Sequence, residues 1–339
     1  MIVEKYPEMI IEAIETSKNL DLPKFEFDKI LFCGTGGSVI VGGFIKDLLK
    51  YDCKKPIEIF VDYKLPKTAD ENTLVVFISY SGNTEEPLNQ FVEALDRKCK
   101  IIGITSGGKL EEWFTKLNLP LIKVPKGYQP RYAAMSMLIS LAVYFDKISL
   151  RNLKRDIEEC EHVLSKINKN ELDEIADKIN NSDIIVFGPN DFENVIRRFK
   201  NDFNENSKLI VANNTFPEMN HNDINGLENP ELNKNRSVLL IRDKDESFEM
   251  ENRIEITKYL IKKNVKSIYE IWTPGESRLA KIVSLIYMSG YISCKLAELN
   301  GLDAGNVDII ERLKKELKER INLVERLEEK LKLKYKEFN

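Results

Sequence analysis

The sequence predicts an α/β protein built from two doubly wound parallel sheets and closed by a long C-terminal helix. Three observations carry this. Short apolar runs rich in β-branched residues alternate with longer stretches of helical spacing. Two of those runs end in turns rich in Gly, Ser and Thr, and the alternation starts afresh beyond residue 180.

In order, residues 7 to 19 put Ile10, Ile11 and Ile14 on one helical face. Lys29-Ile30-Leu31-Phe32-Cys33 reads as a buried strand running into Gly34-Thr35-Gly36-Gly37-Ser38. A helix from Val39 to Leu49 follows, with Gly42 and Gly43 allowing close approach to a sheet. Ile57-Glu58-Ile59-Phe60-Val61 is a strand, as is Leu74-Val75-Val76-Phe77. The latter enters the turn Ser79-Tyr80-Ser81-Gly82-Asn83-Thr84, and Glu85-Glu86-Pro87-Leu88 opens a helix to about Leu95. A strand over 100–105, a helix over 110–117, a strand over 121–124 and an apolar helix from Arg131 to Phe145 complete a first domain, 1–150.

The charged helical stretch from Leu150 to Asn181 opens a second domain, 151–305. There Ile184-Ile185-Val186-Phe187-Gly188 parallels Ile30 to Gly34, Val238 to Ile241 parallels Leu74 to Phe77, and Ile268 to Trp272 parallels Ile101 to Thr105. The similar offsets indicate two copies of one α/β unit. Across 306–339, Ile310, Leu313, Leu317, Ile321, Val324, Leu327 and Leu331 step by three or four residues as one amphipathic helix.

A hydrophobic fraction of 42%, a charged fraction of 31% and a net charge of −4 describe a globular chain without the basic footprint of a nucleic-acid binder. Five dispersed cysteines without a CxxC pair suggest neither a disulfide frame nor a zinc knuckle, and fit a reducing cytoplasm. Residues 1–18 lack a signal-peptide core, and no membrane-spanning run is expected. Two histidines, His162 and His221, are too few for a multi-histidine metal site.

The turn from Ser79 to Thr84 lies between a strand and a helix N-terminus. Ser79, Ser81 and Thr84 can converge there with unpaired N–H groups on one anion, and a phosphate fits. The same residue types also serve an ordinary turn and N-cap. Gly34-Thr35-Gly36-Gly37-Ser38, with Asp62 after the next strand, invites a dinucleotide reading, but Val39 stands where that fingerprint needs Gly or Ala. No Walker lysine is present, so this turn is left as a close backbone approach to a ligand with Ser38 as a donor. The second copy lacks both turns and is not expected to hold a phosphate in this way.

Gly-x-Gly-Gly-Ser followed about forty residues later by Ser-Tyr-Ser-Gly-Asn-Thr-Glu-Glu resembles the sugar isomerase (SIS) domain, a flavodoxin-like fold that binds phosphosugars. Arg198 to Lys208, Pro217-Glu218-Met219-Asn220-His221-Asn222-Asp223, Gly301-Leu302-Asp303 and Leu313-Lys314 resemble the archaeal-type bifunctional phosphoglucose/phosphomannose isomerases. The resemblance implies cofactor-free aldose–ketose isomerisation of glucose 6-phosphate, and of mannose 6-phosphate, to fructose 6-phosphate through a cis-enediol. It assigns the phosphate to Gly36, Gly37, Ser38, Ser79, Ser81 and Thr84. It makes Glu205 the base, Arg131 the cation that stabilises the enediolate, and His221 and Lys314 the ring-opening pair. It also implies a homodimer with His221 supplied across the interface. The zinc-dependent phosphomannose isomerases are excluded by the count of two histidines.

Spacing alone reads these residues more plainly. Glu205 lies beside Asp202 in a polar loop as a solvated charge, Arg131 is a surface or ion-paired arginine, and Lys314 is one lysine of many bordering an apolar stripe. His162 reads as exposed. Val307, with Asn306 adjacent, stands seven before Lys314, where the resembling family carries a small polar residue tied to acceptance of both C2 epimers. Two rivals share the phosphate turn: an isomerase of another phosphosugar, and a non-catalytic phosphosugar sensor.

Overall fold

In a computed structural model of the chain, residues 1–338 are described. The order is α1 (Tyr6–Lys18), β1 (Lys29–Gly34), α2 (Gly36–Leu49), β2 (Ile57–Phe60), β3 (Thr73–Ile78), α3 (Glu85–Asp96), β4 (Lys100–Thr105), α4 (Gly108–Lys116), β5 (Leu121–Lys123) and α5 (Pro130–Lys147). Next come α6 (Lys154–Ser165), α7 (Lys169–Ile179), β6 (Asp183–Pro189), α8 (Glu193–Asn206), β7 (Ala212–Phe216), the single turns α9 (Asp223–Gly226) and α10 (Pro230–Asn233), β8 (Arg236–Arg242), α11 (Phe248–Ile261), β9 (Ser267–Trp272) and α12 (Arg278–Leu299). Two helices, α13 (Asp308–Ile321) and α14 (Leu323–Lys334), end the chain.

The chain divides into two compact units. The first gathers Glu8–Arg155 with the C-terminal segment from Val307; the second gathers Met1–Pro7 with Asp156–Asn306. Relative to the domains read from the sequence, the C-terminal segment is part of the first unit, and the first seven residues are part of the second.

The first unit holds a five-stranded parallel sheet of order β2-β1-β3-β4-β5. This is the flavodoxin-like order, with β1 and β3 adjacent and their connections leaving in opposite directions. β3 is buried at every position, as its unbroken Thr-Leu-Val-Val-Phe-Ile run requires of a strand covered on both faces. The second unit repeats the order as β7-β6-β8-β9, all parallel, so β6, β8 and β9 are the counterparts of β1, β3 and β4. The edge strand β7 has no signature in the sequence, because Ala-Asn-Asn-Thr-Phe neither alternates nor forms an apolar run.

Among the described residues, α12 alone has the length and apolar composition of a membrane span, and 83% of its apolar window is buried. It is a core helix of the second unit, packed against α7 and α8. The C-terminal apolar stripe is carried by two helices, because Asn322 takes a left-handed conformation (φ 48°) between them. Asn adopts that conformation at lower cost than other residues with a side chain. α13 has no buried residue, while α14 buries Leu327 and Leu331.

Candidate active site

In the first unit the site is built where the chain turns out of β1 and β3. Ligands of doubly wound sheets bind beyond the carboxyl ends of two such diverging neighbours. Gly34 ends β1 so close to β3 that a Cβ would lie 2.3 Å from the Ile78 carbonyl oxygen. Gly37 in the first turn of α2 has no room for a side chain: its Cβ would lie 2.9 Å from the Arg131 nitrogen and 3.1 Å from the Arg131 Cα. The N-termini of α2 and α5 therefore meet, and each leaves the unpaired N–H groups of a first helical turn there.

That turn is tied on every side. The Tyr80 N–H donates to Ser38 Oγ (3.1 Å), joining the two Gly- and Ser-rich turns. Ser79, buried, donates through Oγ to Thr84 Oγ1 at 3.2 Å. The exposed Ser81 accepts the Asn83 N–H at 3.3 Å. Thr84 is the N-cap of α3, yet its hydroxyl makes no capping bond to the helix. The ordinary N-cap reading therefore does not account for Thr84, and the first N–H groups of α3 remain for an anion. Two carboxylates open α3. Burial, and then Glu86, push the Glu85 carboxyl above its usual range, and one Glu85 oxygen is buried without a hydrogen-bond partner.

Arg131 follows Pro130 in the first turn of α5 and is 1% exposed, with its guanidinium 4.7 Å from the Tyr132 ring centre. The surface-arginine reading is thereby corrected: the helix end is drawn inward onto Gly37. Tyr80 is a residue the sequence reading passed over. Its hydroxyl donates to the Pro125 carbonyl (2.9 Å) and accepts the Tyr128 N–H (3.0 Å), fastening the loop that leads to Arg131. The only sequence signal was a tyrosine inside an otherwise small-residue turn. Lys314 lies exposed on α13.

In the second unit Glu205 lies in the last turn of α8 and is half-buried. The polar-loop reading is corrected by Val195, Ile196, Phe199 and Phe203, which bury one helical face. Arg198 and Asp202 turn inward beside them, both 1% exposed, with Arg198 Nε 2.8 Å from Asp202 Oδ2. Ser289 Oγ of α12 donates to the same oxygen at 2.8 Å. Asn206 Nδ2 donates to Ser293 Oγ (2.9 Å), and Ser207 Oγ to the Ser293 carbonyl (2.7 Å). These bonds fix the roll of α8 and so the direction of Glu205. Asp202, first, and more weakly Glu205 hold the Arg198 guanidinium firmly charged against its burial.

His221 ends a short 3-10 turn, Glu218–His221, seated by the buried Met219. Asn220 Nδ2 donates to Thr257 Oγ1 (2.8 Å), Asn222 Nδ2 to Glu218 Oε1 (2.8 Å), and Asn214 Nδ2 to Asp223 Oδ2 (2.6 Å). His221 itself is exposed, with no hydrogen-bond partner among the described residues. His162 is exposed on α6, as expected.

The place that holds a hydroxyl-lined turn in the first unit holds charge in the second. After β8, Glu246 accepts Arg242 Nε (3.0 Å) and Nη2 (2.9 Å) and the Asp243 N–H (2.8 Å). An internal carboxylate thus stands where the other copy leaves room for an external anion.

Sheet order and turn chemistry together define a SIS-domain protein of the phosphosugar-binding class. Residues 26–142 match the SIS domain, and residues 168–317 match the bacterial phospho-glucose isomerase C-terminal SIS domain. Over 94% of its length the chain is 36% identical to a bifunctional phosphoglucose/phosphomannose isomerase of Caldicellulosiruptor bescii, covering 98% of that protein. It is 37% identical over 85% of its length to one of Aquifex aeolicus, covering 90% of that protein. A D-glucosamine-6-phosphate 4-epimerase of Sulfolobus acidocaldarius is 30% identical over 92% of this chain and 96% of its own. The fold is shared with the C-terminal domain of glucosamine-fructose-6-phosphate aminotransferase from Francisella tularensis (TM-score 0.71, 15% identity, 90% of this chain and 97% of that one). The chain belongs to the family of bifunctional phosphoglucose/phosphomannose isomerases.

Proposed function

We propose that this chain interconverts glucose 6-phosphate and mannose 6-phosphate with fructose 6-phosphate through a cis-enediol, with no cofactor or metal ion. The observation that supports it most is the contact of Gly37 with the Arg131 main chain, which brings the first turn of α5, with its buried arginine, onto the Gly-rich turn that Ser38 ties to the hydroxyl-lined turn. Gly36, Gly37, Ser38, Ser79, Ser81 and Thr84 hold the phosphate dianion, so its binding energy orients carbons several bonds away. Glu205 removes the C2 proton of the aldose and returns it to C1, while the hydroxyl hydrogen moves from O2 to O1. Arg131 carries the developing enediolate charge. His221 and Lys314 open the pyranose ring by moving a proton between O1 and the ring oxygen. His221 is exposed in one chain, which fits its donation to the partner of a homodimer. The reading places the enzyme in the cytoplasm.

The test is fructose 6-phosphate formation by EDTA-treated protein from each aldose separately. Turnover of both is expected; turnover of glucose 6-phosphate alone would mean that Val307 excludes the other epimer. Glu205→Gln is expected to abolish turnover and leave phosphosugar binding near normal, and a retained rate would remove Glu205 from the base role. The epimerase among the relatives favours one second reading, inversion at C4 of an amino sugar phosphate, so glucosamine 6-phosphate belongs in the same assay. Its conversion with neither aldose consumed would replace the isomerase reading.

A further inference from the structure

The C-terminal helix α14 has no part in the chemistry above, yet it is packed onto the helix that opens at the phosphate turn. Leu327 and Leu331 enter the core cluster of Phe91, Trp113 and Phe114, and Phe338 beyond them meets Trp113 edge-on at 6.4 Å. α14 is tied by ion pairs to the C-terminal end of α3. Lys330 and Lys334 pair with Asp96 at its C-terminus, the latter at 2.5 Å. Arg326 acts on Glu85 at its N-terminus, drawing down the carboxyl that burial and Glu86 push up.

A second line of contacts runs from α14 to the turn itself. Glu328 lies 3.1 Å from Lys109 Nζ, with Glu112 also on that ammonium at 2.9 Å. The Lys109 N–H donates to Asn83 Oδ1 (3.0 Å), and the Leu110 N–H donates to the Gly82 carbonyl (2.9 Å). Gly108 presses so close that a Cβ there would lie 2.2 Å from the Ser81 carbonyl oxygen. The start of α4 is thus a floor under residues 81–83, and Lys109 is where α14 holds that floor.

We propose that Glu328 is a positioning residue for the phosphate turn, acting through Lys109 and Asn83, and that α14 braces α3 so that its N-terminal N–H groups stay aimed at the substrate phosphate. Donors held in place before the ligand arrives do not have to be ordered by it, so bracing appears in affinity and not in the chemical step. The proposal rests on the phosphosugar reading for its ligand, and its test separates the two.

KM and kcat for glucose 6-phosphate, and the dissociation constant of inorganic phosphate by calorimetry, are measured for wild type, Glu328→Gln, Lys109→Met, the double variant, and a chain ended after Asn322. Glu328→Gln is expected to raise KM and the phosphate dissociation constant together by about threefold, the scale of one partly exposed ion pair, at unchanged kcat. The double variant should be no worse than Lys109→Met, since Glu328 acts through that lysine. The shortened chain should lose about tenfold or more in both constants; if it fails to fold, the point variants still decide. Wild-type affinity in Glu328→Gln, or a loss confined to kcat, overturns the proposal. A wild-type protein that binds inorganic phosphate but neither binds nor converts the sugar refutes the functional reading, while the phosphate affinities still judge the bracing.

Discussion

At Gly37 what matters for the candidate site is the absence of a side chain. An added methyl would meet the Arg131 nitrogen at 2.9 Å and its Cα at 3.1 Å, main-chain atoms with no rotamer to change. Gly37→Ala is expected to push α2 and α5 apart, costing about 1–3 kcal/mol of stability as an overpacked contact does. It should also raise KM at least about tenfold, since 1.4 kcal/mol of lost phosphate binding suffices. Thermal unfolding and initial rates measure the two effects separately; full affinity in the variant would show that the contact does not shape the anion site. At this scale the sequence was informative wherever chemistry depends on residue type in a local run, as in Ser79 to Thr84. It was silent on Tyr80 and on the inward turn of Arg131, whose partners lie some forty residues or more away in the chain or are main-chain atoms.

The element that carries the candidate base was legible only in part. α8 hides its character because half of its buried face is polar or charged: Asn194, Arg198, Asp202 and Asn206 turn inward, and Arg198 and Asp202 satisfy each other there, which a hydropathy pattern reads as surface. One Asp202 oxygen takes both Arg198 and Ser289, and the other is buried without a partner, so the pair holds position more than it adds stability. Asp202→Ala should nevertheless cost about 3–5 kcal/mol by removing the buried carboxylate that faces the guanidinium, and Arg198→Met with Asp202→Leu should recover much of that loss. Urea denaturation of the three proteins checks this, and near-equal stabilities would show that water reaches the pair. The amino-terminal turn of the same unit has a different dependence. Lys169, then the chain's amino group, hold the exposed Glu4 carboxyl at about 2 against its usual 4.5. A depressed acid contributes stability above its unfolded pKa and loses it as pH falls toward the folded one. The difference between wild type and Glu4→Gln should therefore be constant at neutral pH, shrink below about pH 4.5 and vanish near pH 2. A difference that persists at pH 2 would assign it to packing. The break at Asn322, like α8, was hidden: the apolar spacing runs on across it, and only the left-handed backbone marks it.

At the scale of the molecule, duplication bears on why the proposed phosphate turn occurs in one unit and not in the other. Both units share a strand order, but the second fills the corresponding turn with Glu246 on Arg242. That repeat was readable because parallel strands buried on both faces are continuous apolar runs, and runs of equal kind at similar offsets are visible in one sequence. What a single sequence cannot display is a residue that acts on another copy. His221 is exposed and unpartnered among the described residues, and α13 leaves Ile309 and Leu313 largely exposed, both of which suit a homodimer. Complementation then follows from two-fold symmetry. Mix Glu205→Gln with His221→Ala, each inactive alone, and let the subunits exchange. Half of the dimers become mixed, and in each of these one site pairs a native Glu205 with a native His221 from the other chain. About a quarter of the wild-type activity should return. If His221 served its own chain, every site in the mixture would lack one residue or the other and no activity would appear. Dilution supplies the control: the recovered activity should fall below the dimer's dissociation constant, as should that of the wild type, and a fully active monomer would rule out the shared site.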